Sequence, residues 1–111
     1  MDAAELAREL GWSVRTRGEG REVTTGFCGD LLSSVLSHAP ESCAWITVMT
    51  NVNVAAVALL RGVSCVVLAQ GAQPDALLAE RAERERLPLF TTEEDVYTAA
   101  LRVGRLLERR T

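Results

Sequence analysis

The spacing of apolar residues changes several times along the chain, and each change marks an element. Ala3, Leu6, Ala7 and Leu10 recur three and four residues apart, which predicts a helix over Met1 to Leu10. Asp2 is placed to cap it, Glu5 stands three residues later as in a capping box, and Gly11 ends it. Trp12 to Thr16 reads as a short strand, Arg17 to Gly20 as a polar glycine turn, and Arg21 to Cys28 as a second strand carrying Val23, Thr24 and Thr25. Leu31, Leu32, Val35 and Leu36 return to the helical period. They predict a helix from Asp30 to His38, with Asp30 as its cap and Pro40 as its stop.

Cys43 to Met49 is almost continuously apolar and rich in β-branched residues, as in a strand buried on both faces of a parallel sheet. Val52 to Leu60 is apolar nearly all round, which predicts a central helix covered on more than one side. Ser64 to Leu68 repeats the buried-strand pattern. Gly71 to Asp75 supplies a turn and a cap before a charged helix from Ala76 to Arg86, whose ERAERER segment reads as a solvated face laced with ion pairs. Leu87 to Phe90 is a further short strand, and Thr91 with Glu94 forms a capping-box pair. Val96, Ala100, Val103 and Leu107 mark the buried stripe of the last helix, and Arg102, Arg105, Arg109 and Arg110 gather toward its end.

Strand and helix alternate at least three times after residue 40, the pattern of crossovers that build a parallel sheet. The expected fold is α/β: a small three-layer domain, 1–111, with a mostly parallel sheet of four to five strands flanked by helices. Ligands collect at the carboxyl ends of such strands. Here those ends are Gly26 to Asp30, Met49 to Asn53, Ala69 to Gln73 and Phe90 to Glu93.

Composition narrows the chemistry. A chain of 111 residues with net charge -3 and 5% aromatic residues lacks both the basic surface and the stacking platforms that nucleic acid requires. No apolar stretch approaches the ~20 residues of a membrane span, and the amino terminus lacks the regions of a signal peptide, so a cytoplasmic location is expected. All twelve cations are Arg. Schiff-base, Walker and kinase lysines are thereby excluded, and the single His38 closes any mechanism that needs two imidazoles. The expectation is a protein without catalytic residues, metal or cofactor. Cys28, Cys43 and Cys65 form no CxxC pair and read as free thiols; a zinc site from Cys28, His38 and Cys43 matches no finger or ribbon spacing.

Two constellations are candidates for ligand binding. Thr25, Gly26, Gly29 and Asp30 surround a glycine turn whose amides would approach an anion, or else serve backbone torsion and helix capping. Thr50, Asn51 and Asn53 put three hydrogen-bonding side chains in four positions, more than the capping of one helix needs. If the two loops adjoin, Thr25, Asp30, Thr50 and Asn53 line one polar pocket. Cys28 near a helix start raises the alternative of an activated thiol, while His38 at a helix end reads as a solvated cap. Trp12, Trp45 and the Val52 to Leu60 run exceed what so small a sheet obviously covers, and a homodimer would bury the excess.

The runs GFCGDLLSSVL from Gly26, AWITVMTNVNVAAVALL from Ala44 and VVLAQGAQPD from Val66 resemble the DRTGG domain, across roughly residues 1 to 108. The resemblance implies an α/β accessory domain that often dimerises. Such domains stand alone, beside CBS domains in regulatory regions of inorganic pyrophosphatases, or inside phosphate acetyltransferases, and they are similar to the non-catalytic N-terminal domain of HPr kinase/phosphorylase. Of the residues that name the family, the Asp-Arg pair would fall near Thr50-Asn51 and the Thr-Gly-Gly near Ala69-Gln70-Gly71, so only Gly71 is kept. The function expected is a non-catalytic regulatory or ligand-sensing module. It would bind a nucleotide or phosphorylated small molecule at the strand ends, act as a homodimer, and serve a partner enzyme in trans. The alternatives are a pure protein-protein interaction module, and a phosphotransfer enzyme using Cys28.

Overall fold

The computed structural model describes residues 1–110, with side chains as far as Arg109; the Arg110 side chain and Thr111 lie outside the described residues. In chain order the elements are α1 (Ala3–Leu10), β1 (Ser13–Thr16), β2 (Thr25–Cys28), α2 (Leu32–His38), β3 (Cys43–Thr47), α3 (Asn53–Arg61), β4 (Cys65–Leu68), α4 (Ala76–Arg84), β5 (Leu89–Thr91) and α5 (Val96–Arg110). The five strands form one sheet in the order β1-β5-β4-β3-β2. Strands β2 to β5 run parallel, and β1 lies antiparallel along β5. This is the α/β architecture expected, with one antiparallel edge.

All residues of β3 and β4 are buried because the sheet is covered twice. Ala44, Ile46, Cys65 and Val67 face a layer formed by α1 and α5, while Cys43, Trp45, Val66 and Leu68 face a layer formed by α2, α3 and α4. Alternate side chains thus enter two different apolar layers, and the sequence reads as an unbroken apolar run. Strands β2 to β5 are laid down in order, so right-handed crossovers put α2, α3 and α4 on one face. Helix α5 then crosses back over β2 and β3 on the other face. The turns after β4 and β5 therefore leave the sheet on opposite sides, the point at which such sheets can open a crevice.

The structure corrects three expectations about particular residues. Asp30 does not cap α2, whose N-cap is Leu31 with no side-chain hydrogen bond. Thr91 and Glu94 do not cap α5: Thr91 is buried in β5, and Asp95 Oδ1 accepts from Thr98 N at 2.7 Å instead. That hydrogen bond holds the Asp95 carboxyl below the usual carboxylate range. A lowered value means the cap is fully formed above the ordinary carboxylate pKa, and its contribution is lost as pH falls through the lowered one. Trp12 and Trp45 are not excess apolar surface, since both are buried in this chain's own core. The Val52 to Leu60 run does form the central helix of its layer, α3, packed between α2 and α4, with Val54, Ala55 and Ala58 buried and its outer side open at Leu60, 74% exposed.

Substitutions in urea titrations should separate these environments. Trp45→Ala is expected to cost about 3–5 kcal/mol of unfolding free energy, and Leu60→Ala no more than about 0.5 kcal/mol. Comparable losses from the two would contradict this assignment of core and surface.

Candidate functional site

At the carboxyl end of the sheet the chain is held by one carboxylate. Asp30 Oδ1 accepts from Thr47 Oγ1 at 2.8 Å and from Val48 N at 3.0 Å. Thr47 has no exposed surface at the end of an otherwise apolar strand, so its hydroxyl needs a partner within the protein. Having donated to Asp30, that hydroxyl accepts from Met49 N at 3.2 Å, which shapes the turn leaving β3. Asp30 thereby ties the end of β2 to the end of β3. Gly29 is equally committed: its carbonyl accepts from Trp45 Nε1 at 2.9 Å and its amide donates to Ile46 O at 3.3 Å. A Cβ on Gly29 would lie 3.1 Å from Val35 and 3.2 Å from Phe27, so the glycine is explained by close packing.

The turn after β3 carries Thr50, Asn51 and Asn53. Asn51 Oδ1 accepts from Asn53 N at 2.9 Å and its carbonyl accepts from Val54 N at 3.1 Å, so the first amides of α3 are met by their own turn. Thr50 O accepts from Asp75 N at 3.0 Å, which brings the start of α4 alongside. The side chain of Asp75 caps no amide there. Val52 and α4 enclose a cleft of about 190 Å³, lined also by Leu77, Glu80, Arg81 and Arg84. Of these residues Arg81 has its Nε buried with no hydrogen-bond partner. Arg84 faces Glu80 at 3.9 Å.

The remaining candidates lie elsewhere. Thr25 and Gly26 sit at the amino end of β2, opposite Cys43 and Ala44, so the length of the strand separates them from Thr50 and Asn53. A Cβ on Gly26 would come 3.4 Å from Val103 of α5. Gly71 stands at the crossing point between β4 and β5 with φ +74°, and a Cβ added there would come 3.0 Å from the Glu93 carboxylate. Gly71 N donates to Thr92 O at 3.0 Å and Gln70 N to Glu94 O at 2.8 Å, which laces the two turns together across the place where a crevice would open. Glu94 is held in turn by Trp12 Nε1 at 3.0 Å and by Arg102.

Burial pushes the Cys28 thiol up, and the Asp30 carboxylate adds to the effect, opposite to what an activated nucleophile needs. Burial raises Cys43 to about 11 and Cys65 higher still. Among the described residues no group of three or more His, Cys, Asp or Glu could hold a metal ion. His38 is exposed, with Nδ1 3.1 Å from Ser34 O in the last turn of α2. No helix among the described residues is long and apolar enough to cross a membrane.

The sequence reading missed Thr47 and Arg81. A threonine closing an apolar strand was a visible sign of a buried polar partner. Arg81 sits in a charged run but three residues after Leu78 and next to Ala82, both buried, which puts it at the edge of the inner stripe of α4.

Asp30→Ala should lower unfolding free energy by about 1–3 kcal/mol by orphaning Thr47, with Asp30→Asn intermediate because its amide oxygen can still accept. No loss in the alanine variant would remove the tie between β2 and β3. In the native protein a thiol reagent should label Cys28 before Cys43 and Cys65, more slowly than a free peptide cysteine at neutral pH, catching up only as pH rises. Faster labelling than the peptide would reinstate the nucleophile.

The sequence profile of the DRTGG domain matches residues 5–106. No curated protein matches the chain. The crystal structure of the CBS and DRTGG domains of the regulatory region of Clostridium perfringens pyrophosphatase, complexed with its activator diadenosine tetraphosphate, has the same fold. Its TM-score is 0.67 at 16% identity, covering 95% of this chain and 45% of that one. The chain thus spans less than half the length of that regulatory region. With a profile match across nearly the whole chain and the three-layer fold beneath it, the chain belongs to the DRTGG domain family.

Proposed function

We propose that this is a non-catalytic regulatory module that senses an anionic small molecule, a nucleotide or a phosphorylated metabolite, at the carboxyl ends of its parallel strands. Arg81 carries the reading: it lines a cleft beside the Thr50 to Asn53 turn, and its Nε is a buried N–H donor with no partner. Leaving such a donor unsatisfied is costly, and a phosphate oxygen is the acceptor a guanidinium fits best. The first-turn amides of α4, which the Asp75 side chain leaves uncapped, add partial positive charge on the same side. Asp30 would repel a bare phosphate but accepts from a ribose hydroxyl, which favours a nucleotide over an inorganic anion. The Clostridium perfringens regulatory region, complexed with an activating nucleotide, is a precedent for the class of ligand.

The module works in the cytoplasm as a homodimer and passes its state to a partner enzyme in trans, since the lysine-free chain and the raised Cys28 thiol offer no turnover of their own. A ligand-free interaction module is the second reading. It is favoured by Leu31, Leu60 and Leu77, well exposed along the α2 to α4 side.

A thermal-shift series with ATP, ADP, diadenosine tetraphosphate and inorganic phosphate tests the choice. Ligand at a hundredfold excess over its dissociation constant should stabilise the fold by about 2.7 kcal/mol, and Arg81→Leu should abolish that shift. An unmoved melting temperature with every nucleotide would transfer the argument to the interaction reading.

A further inference from the structure

Helix α5 has more surface than this chain covers. Ala99, Val103 and Leu106 pack on the sheet, while Tyr97 is 75% and Leu101 37% exposed on the outer side. Beside them runs a groove of about 450 Å³ lined by Tyr97, Ala100, Leu101, Gly104, Arg105 and Glu108. Gly104 lies in the interior of the helix without a positive φ, and a Cβ there would meet nothing within 4 Å. Neither backbone torsion nor packing inside the chain therefore explains a residue that is the poorest helix former after proline. A notch has been left open.

The groove is self-complementary in residue type. Reading α5 against a second copy in the opposite direction places Leu101 over Gly104, Arg105 over Ala100 and Tyr97 against Glu108. Each match sets a bulky side chain on a small one, or a hydroxyl donor against a carboxylate acceptor. The two-fold axis makes every match twice, as an isologous interface requires. The surface also continues past Gly104 into a second groove, of about 250 Å³, that reaches Thr24, Thr25 and Gly26 at the open edge of β2. We infer that a second copy of this chain docks here, its α5 antiparallel to the first, with Leu101 seated in the notch at the partner's Gly104. The inference rests on the homodimer reading above and names the face through which it forms.

Sedimentation equilibrium of the full chain, its Gly104→Leu and Tyr97→Ala variants, and Leu60→Glu as a surface control, tests it. The wild type is expected to dimerise below ~100 µM. Gly104→Leu should weaken association by about tenfold or more while melting at or above the wild-type temperature when dilute, because the added side chain meets open space and favours the helix. Tyr97→Ala should weaken association as well, and Leu60→Glu should leave it unchanged. A dimer that survives Gly104→Leu and Tyr97→Ala undiminished would overturn the α5 interface while leaving the homodimer reading intact. A wild type that stays monomeric at ~100 µM would overturn both.

Discussion

Two adjacent strands, β3 and β4, have no exposed residue, and that double burial governs the rest of the molecule. Such strands are stable only where helices cover both faces, so a chain of this size must spend three helices on one side and two on the other. The sequential winding of β2 to β5 supplies the first three by itself. The second face is left to the terminal helices: α5 returns across β2 and β3, and α1 is brought up by the antiparallel strand β1 along β5. The same geometry decides where chemistry can occur. The crossing point between β4 and β5 is laced shut by Gln70, Gly71 and Glu94, so the open strand ends are those of β2 and β3, flanked by α4.

Much of this fold is legible in the order of residues. The CAWIT and CVVL runs announced buried strands because both of their faces meet apolar layers, and Asp2 and Gly11 bound α1 as their positions implied. What failed were assignments in which one residue type serves two purposes. An aspartate before a helix is ordinarily read as a cap, yet Asp30 reaches across to Thr47, a partner seventeen residues away that no local pattern reveals. Glu94 likewise answers to Trp12 and Arg102, distant in sequence, and the capping of α5 passes to Asp95. The apolar excess was real but misplaced. Tryptophans fill the core, and the exposed large apolar residues are scattered leucines, Tyr97 and, on the edge strand β1, Val14.

The candidate site was half legible for the same reason. Short-range signals located the Thr50 to Asn53 turn and Asp30, which tertiary pairing does bring to the same end of the sheet. They also drew in Thr25 and Gly26, which belong to the opposite end of β2, because the glycine turn was taken to begin at Gly26 while the strand runs on to Cys28. The missing element was positive charge. It comes from Arg81, next to the buried Ala82 of α4, whose Nε is buried and unpaired, a state that no local sequence pattern announces.

The central claim is that this Arg81 donor and the strand ends beside it receive an anionic ligand. Titration of the isotope-labelled protein with a nucleotide, followed through backbone amide and arginine Nε–H resonances, addresses it most directly. The account predicts that the Arg81 Nε–H signal and the amides of Thr50 to Asn53 and Ala76 to Leu78 move together and saturate. Saturable shifts confined to α5 and the edge of β2, or none at any residue, would contradict it.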